Sequence, residues 1–154
     1  MKIALALALI ASGLGVPATA QLLPPPDKAT VDAMVSLARS NLHRARIEDG
    51  TNVPPDTPEQ AAQPVVPDAL AEATVRRGQL TAEFNVCGLN GVEESYLPYM
   101  AALRATNQYT SRQLAFIGLL HGITQGQVER VLQKYVRGCS GPAKASLRRA
   151  LAAR

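Results

Sequence analysis

Residues 1–20, MKIALALALIASGLGVPATA, set the conditions under which the rest of the chain folds. Lys2 supplies a positive start, residues 3–14 form a short uncharged apolar run, and Ala18-Thr19-Ala20 places small residues at the positions a signal peptidase inspects. These three parts read as a secretory signal with cleavage between Ala20 and Gln21. A membrane anchor fits less well. A spanning helix needs ~20 apolar residues, and this run meets Gly13, Gly15 and Pro17 after about a dozen. No Cys stands at the cleavage point, which disfavours a lipid-anchored form. The A-x-A ending and the single Lys suggest a bacterial export signal, so the expected location is periplasmic or secreted. The remaining chain has no other long apolar run, and no transmembrane segment is expected in it. Such a chain folds under oxidising conditions, where cysteines can serve as structural staples.

The chain after Ala20 divides into a loose part and a dense part. Residues 21–50 hold a Pro24-Pro25-Pro26 leader and a first helix, expected over 28–47. Asp27 is placed to cap it, Val31, Met34, Val35, Ala38, Leu42 and Ala45 make one apolar stripe, and Asp49-Gly50 stops it. Residues 51–67 carry Pro54, Pro55, Pro58, Pro64 and Pro67, a density that no helix or central strand is expected to survive, so the stretch reads as a Pro-rich linker. Residues 68–154 read as helix after helix.

Within 68–154, a helix from Asp68 to about Cys87 carries Leu70, Ala73, Leu80, Phe84 and Cys87 at 3-to-4 spacing, with Arg77 and Gly78 weakening it. After a turn at 88–91, a third helix is expected over 95–106 with Pro98 in its first turn. Thr110-Ser111-Arg112-Gln113 is a capping box with Tyr109 and Leu114 at the staple positions, and Thr124-Gln125-Gly126-Gln127 repeats the pattern between Ile123 and Val128. Two helices are therefore expected, starting at Ser111 and Gln125, with Gly122 and Gly138 as their C-terminal stops. The first is apolar nearly all round. The second places Val128, Val131, Leu132 and Tyr135 inward and Arg130, Lys134 and Arg137 outward. Pro142 starts a last helix with Leu147 and Leu151 inward. The fold class is all-α: a small bundle of about five to six helices with one disulfide, preceded by the Pro-rich linker.

All six aromatic residues lie between Phe84 and Tyr135, which puts the core in this second half. A domain of that size is marginal on burial alone. Cys87 and Cys139 are the only cysteines, and in an exported chain they are expected to pair. A redox or metal role lacks support, because there is no C-x-x-C and no neighbouring His.

Function is less legible. The half from Ala82 to Arg154 holds nine basic and four acidic residues, so the cationic surface belongs to the helical part, with Arg130, Lys134 and Arg137 as a basic contact face. The stretch Gln113–Lys134 resembles a helix-turn-helix, with Gly118 at the small position, Gly122 at the turn and Ile123, Val128 and Val131 at apolar positions; His121 departs from that pattern. An exported chain does not meet the chromosome, so no nucleic-acid partner is expected. Ile123–Tyr135, followed by Ser146–Leu151, resembles the C-terminal part of small exported helical immunity proteins, although the cysteine placement differs and no residue role follows from it. His43 and His121 stand alone on their helices, and no G-x-S-x-G, H-E-x-x-H or Gly-rich phosphate loop is present. No catalytic, cofactor-binding or metal-binding residue is assigned. The expected role is a non-catalytic module contacting another envelope or secreted protein. The alternatives are an envelope enzyme using His121, or a DNA-binding protein if the export signal is misread.

Overall fold

The computed structural model describes residues 22–153; the expected secretory signal and the expected Ala20–Gln21 cleavage point lie outside them. The described residues are all-α. Six helices follow in order: α1 Lys28–Ser40, α2 Pro58–Ala61, α3 Asp68–Val86, α4 Leu97–Ala105, α5 Ser111–Leu132 and α6 Gly141–Ala152. A 3₁₀ turn at Leu42–Arg44 follows α1, and a π-helical turn at Val92–Tyr96 leads into α4.

Local signals explain most helix starts. The Asp27 carboxylate accepts the Thr30 amide, Thr110 and Gln113 form the reciprocal capping box, and Ser140 caps α6 with Pro142 in its first turn. α1 ends at Ser40 rather than Ile47. Its last stretch becomes the 3₁₀ turn and a short reversal closed by the Arg46–Asn52 bridge, with Gly50 at φ 83°. Where no helix was expected between 51 and 67, a single helical turn, α2, forms, because Pro58 is tolerated in a first turn and the Thr57–Gln60 capping box holds it. This segment packs against the body. Val53, Val65 and Val66 are buried, and Asp56 joins Arg39 of α1 to Arg112 of α5.

The largest departure from the sequence reading is α5. Two helices were expected, broken at Gly122; one continuous helix runs from Ser111 to Leu132. Thr124 does not cap. Its hydroxyl donates back to the Leu120 carbonyl at 2.8 Å and is buried, so the second capping box is not formed. The turn that a helix-turn-helix requires is therefore absent.

α3 and α5 pack along each other as the central pair, and α1 lies on α5. The reason for the close approach is Gly78. A Cβ there would stand 2.8 Å from the His121 carbonyl oxygen and 2.9 Å from the Thr124 Cβ. The glycine that weakens α3 locally lets the two backbones meet. Around this contact Val75, Phe116, Ile117 and Leu120 join Val31, Ala38 and Leu42 of the N-terminal part in one core. A second, smaller cluster sits at the far end of α3, where Leu80, Phe84 and Cys87 meet Leu147 of α6. Cys87 and Cys139 are disulfide-bonded there, 52 positions apart.

Gly78→Ala should destabilise the protein by roughly 1–3 kcal/mol despite its helix-propensity gain, because the new methyl meets backbone; urea unfolding measures it. Reduction of Cys87–Cys139 should remove ~2–4 kcal/mol, seen as a lower unfolding midpoint when reductant is added.

Candidate functional site

The residues singled out from sequence separate into three places. Cys87 and Cys139 are joined. His121 lies in the centre, 1% exposed. Its Nε2 is 3.0 Å from Thr81 Oγ1, which also lies 2.8 Å from Ser95 Oγ and 2.9 Å from the Arg77 carbonyl oxygen. One hydroxyl has one proton and two lone pairs, so these contacts saturate it. The Tyr96 ring covers the imidazole at a 4.5 Å centroid distance. Burial, reinforced by the Arg77 charge, lowers the His121 pKa from 6.5 to about 4. None of the described cavities has His121 in its wall. The imidazole is a neutral, closed-in bridge between α5 and α3.

The third place is the end of α5. Arg130 is exposed in its last turn and donates to Gln127 at 3.3 Å. Lys134 and Arg137 are exposed too, but they lie beyond the helix, which stops at Leu132. Only Leu132 of the expected inward set is fully buried. Val131 is 48% and Tyr135 78% exposed: Val131 sits on the uncovered side of the last turn of α5, and Tyr135 lies beyond the end of the helix. The basic face thus carries an exposed valine and tyrosine among its cations.

Arg130 also ends a groove between α1 and α5. About 380 Å³ of open space is lined by Leu37, Asn41 and Arg44 on one side and by Leu119, Gly122, Ile123, Gly126 and Arg130 on the other. Gly122 and Gly126 are one turn apart, and a Cβ at either would meet nothing within 4 Å. They hollow the floor. Leu37 is left 38% exposed at the rim, and Arg44 and Arg130 stand at the edge. The arrangement offers an apolar trough with basic flanks, suited to a helix or extended segment with acidic groups. Sequence reasoning misses it because Gly122 reads as a helix stop; the i, i+4 spacing of Gly122 and Gly126 is the signal available.

A wider depression of about 620 Å³ is bounded by Arg76, Arg77, Glu94, Tyr99 and Leu151. Glu94 and Tyr99 in its wall are engaged. Glu94 accepts two hydrogen bonds from Arg148, which holds its carboxyl below the usual range, and Tyr99 bonds Thr74 at 2.7 Å. Among the described residues no group of three His, Cys, Asp or Glu is placed to hold a metal ion, and no helix is long and apolar enough to cross a membrane.

Compared with known proteins, the chain matches no family model, no curated protein and no solved structure.

The lowered His121 pKa has a consequence for stability. Between pH 6.5 and about 4 the unfolded chain binds a proton there that the folded chain refuses. Its contribution is complete above pH 6.5 and is lost as pH falls toward 4, to a total of roughly 3 kcal/mol. His121→Gln should flatten this part of the stability–pH curve relative to the parent, measured by urea unfolding at each pH.

Proposed function

We propose that this chain is exported and acts by contact, as a non-catalytic binding or accessory protein of the cell envelope whose partner is another envelope or secreted protein. The observation that carries this reading is the glycine-floored groove with Arg44 and Arg130 at its edge. An open apolar trough on a rigid helix pair is a surface for a partner segment. The cationic flanks favour acidic side chains and disfavour a second copy of the same groove, since two such faces would oppose like charges. Arg130 continues into Lys134 and Arg137, so an acidic partner lying along α5 gains further attraction at the end of the helix. The exposed Tyr135 adds a residue type enriched at interaction hot spots.

A periplasmic or secreted location supports the same reading through the signal-like leader and the disulfide, which persists in oxidising compartments. The enzyme reading through His121 gains one point, a hydroxyl within hydrogen-bond reach. It is weakened by closure, since a general base has to reach its substrate's proton and the imidazole is 1% exposed.

The test uses tagged mature protein and envelope extract. A partner bound through the groove should be recovered by the parent protein. Recovery should fall at least ~10-fold with Gly122→Leu plus Gly126→Leu, and similarly with Arg44→Glu plus Arg130→Glu. The leucine variants should retain helix content and unfolding midpoint, because their side chains enter open space. Recovery that ignores both pairs of substitutions would defeat the groove as the contact site.

A further inference from the structure

The chain leaves α5 through a cationic tip that carries an aromatic residue. From Arg130 to Arg154 the sequence holds seven basic residues and no acidic one. Arg130, Lys134 and Arg137 open that run. All three are exposed, and none forms an ion pair with another described residue. The nearest acid in sequence, Glu129, is engaged elsewhere: it accepts from Gln125 at 3.0 Å and from Asn85 of α3. Val131 and Tyr135 stand among the cations, and Tyr135 is the most exposed large apolar residue of those described. The tip is tied at both ends. Leu132 is buried at its start, and the amides of Lys134, Tyr135 and Val136 donate to the carbonyls of Val131 and Leu132 at 2.8–3.2 Å, winding one more tight turn. At its other end Cys139 is bonded to Cys87, and Ser140 caps α6. Of residues 133–138 all but Val136 are exposed, so the tip is convex.

These groups make two demands at once. A tyrosine ring gains from an apolar medium while its hydroxyl stays wet. Cations on long stems gain from anions they can reach without a fixed geometry. A bilayer interface meets both at neighbouring depths, with phosphates outermost and the acyl boundary just beneath. An acidic protein would need a pocket shaped to receive Tyr135 as well as carboxylates around it. A convex tip with unpaired, flexible cations suits a fluid layer of phosphates better.

We propose that the tip at residues 130–137 docks on an anionic phospholipid surface, with Arg130, Lys134 and Arg137 on the phosphates and Val131 and Tyr135 entering the interface. So few groups give reversible adsorption rather than anchoring. Arg130 also ends the groove between α1 and α5, so the tip adjoins it, and a partner held in the groove stays beside the lipid. The lipid contact goes beyond the protein-binding role and requires neither the groove nor the export reading.

The experiment is vesicle co-sedimentation of the untagged mature protein and of Tyr135→Trp, which gives a chain without tryptophan a single indole at the tip. Binding should be at least ~10-fold stronger to phosphatidylcholine vesicles containing phosphatidylglycerol than to pure phosphatidylcholine, and should fall as salt is raised. Lys134→Glu plus Arg137→Glu should lower it at least ~10-fold at an unchanged unfolding midpoint, because both side chains are exposed. On the anionic vesicles the indole emission should shift to the blue and be quenched by lipids brominated on their acyl chains. Equal binding to the two kinds of vesicle, binding that ignores the charge reversal, or adsorption that leaves the indole unquenched would each overturn the proposal. So would a parent protein that binds no vesicles while the charge-reversed variant loses capture of a protein from envelope extract; the tip would then be a contact for an acidic protein. Gly122→Leu plus Gly126→Leu should leave vesicle binding unchanged, which separates a failed groove from a failed tip.

Discussion

The contact between the α3 and α5 backbones at Gly78 organises the rest of the molecule. Helices normally keep their axes 8–10 Å apart because side chains stand between them. Here one side chain is missing at the crossing, and the His121 carbonyl and Thr124 fill its place. The closeness carries His121 into reach of Thr81, and Thr81 into reach of Ser95 on the π-helical turn. Gly91 at the start of that turn follows the same logic, since a Cβ there would lie 2.5 Å from Asn85 Oδ1. A polar cluster at the centre of a small bundle is tolerable only when fully satisfied, and this one is held by groups from three segments.

One helix serves both the interior and the surface. α5 buries Phe116, Ile117, Leu120, His121 and Thr124. Its other side presents Gly122, Gly126 and Arg130 to the groove. Because successive residues turn by about 100°, His121 and Gly122 are neighbours in sequence and still belong to opposite concerns. The buried side gives the groove a stiff floor. α1 supplies its second wall, and α1 is held in place by the segment that follows it. Arg39 donates to Asp56 at 3.3 Å and to the carbonyls of Gln60 and Ala61 at 2.6 and 2.9 Å, while Arg112 holds the Asp56 carboxyl below its usual range.

Legibility followed the range of the interaction. The caps at Asp27 and Thr110, the proline break of 51–67, the start of α6 at Pro142 and the Cys87–Cys139 pair could all be read, since each depends on residue type and short spacing or on cysteine count. The inward orientation of Val131 and Tyr135 could not: Val131 is helical but no element packs on its side of the last turn, and Tyr135 lies beyond Leu132, where the helical periodicity no longer applies. Glu83 escaped notice for a related reason. It interrupts the stripe of Leu80, Phe84 and Cys87 as a solvent-facing residue would, and its partner Leu23 lies 60 positions away. Of the groove, Arg130 was in view and the glycines were in plain sight, but their meaning depended on whether the helix continued.

By itself the sequence determined the class of the fold: helical periodicity, capping residues and proline placement act over a few residues and leave little choice. Whether Gly122 ends a helix or floors a groove, whether 51–67 hangs free or packs, and which charge is buried were decided only by the tertiary structure. In each case the local alternatives differ by about a kilocalorie per mole, and packing contributes more than that. Thr124 shows it most directly: as a cap it would have satisfied one amide, and against Gly78 it closes the contact on which both central helices rest.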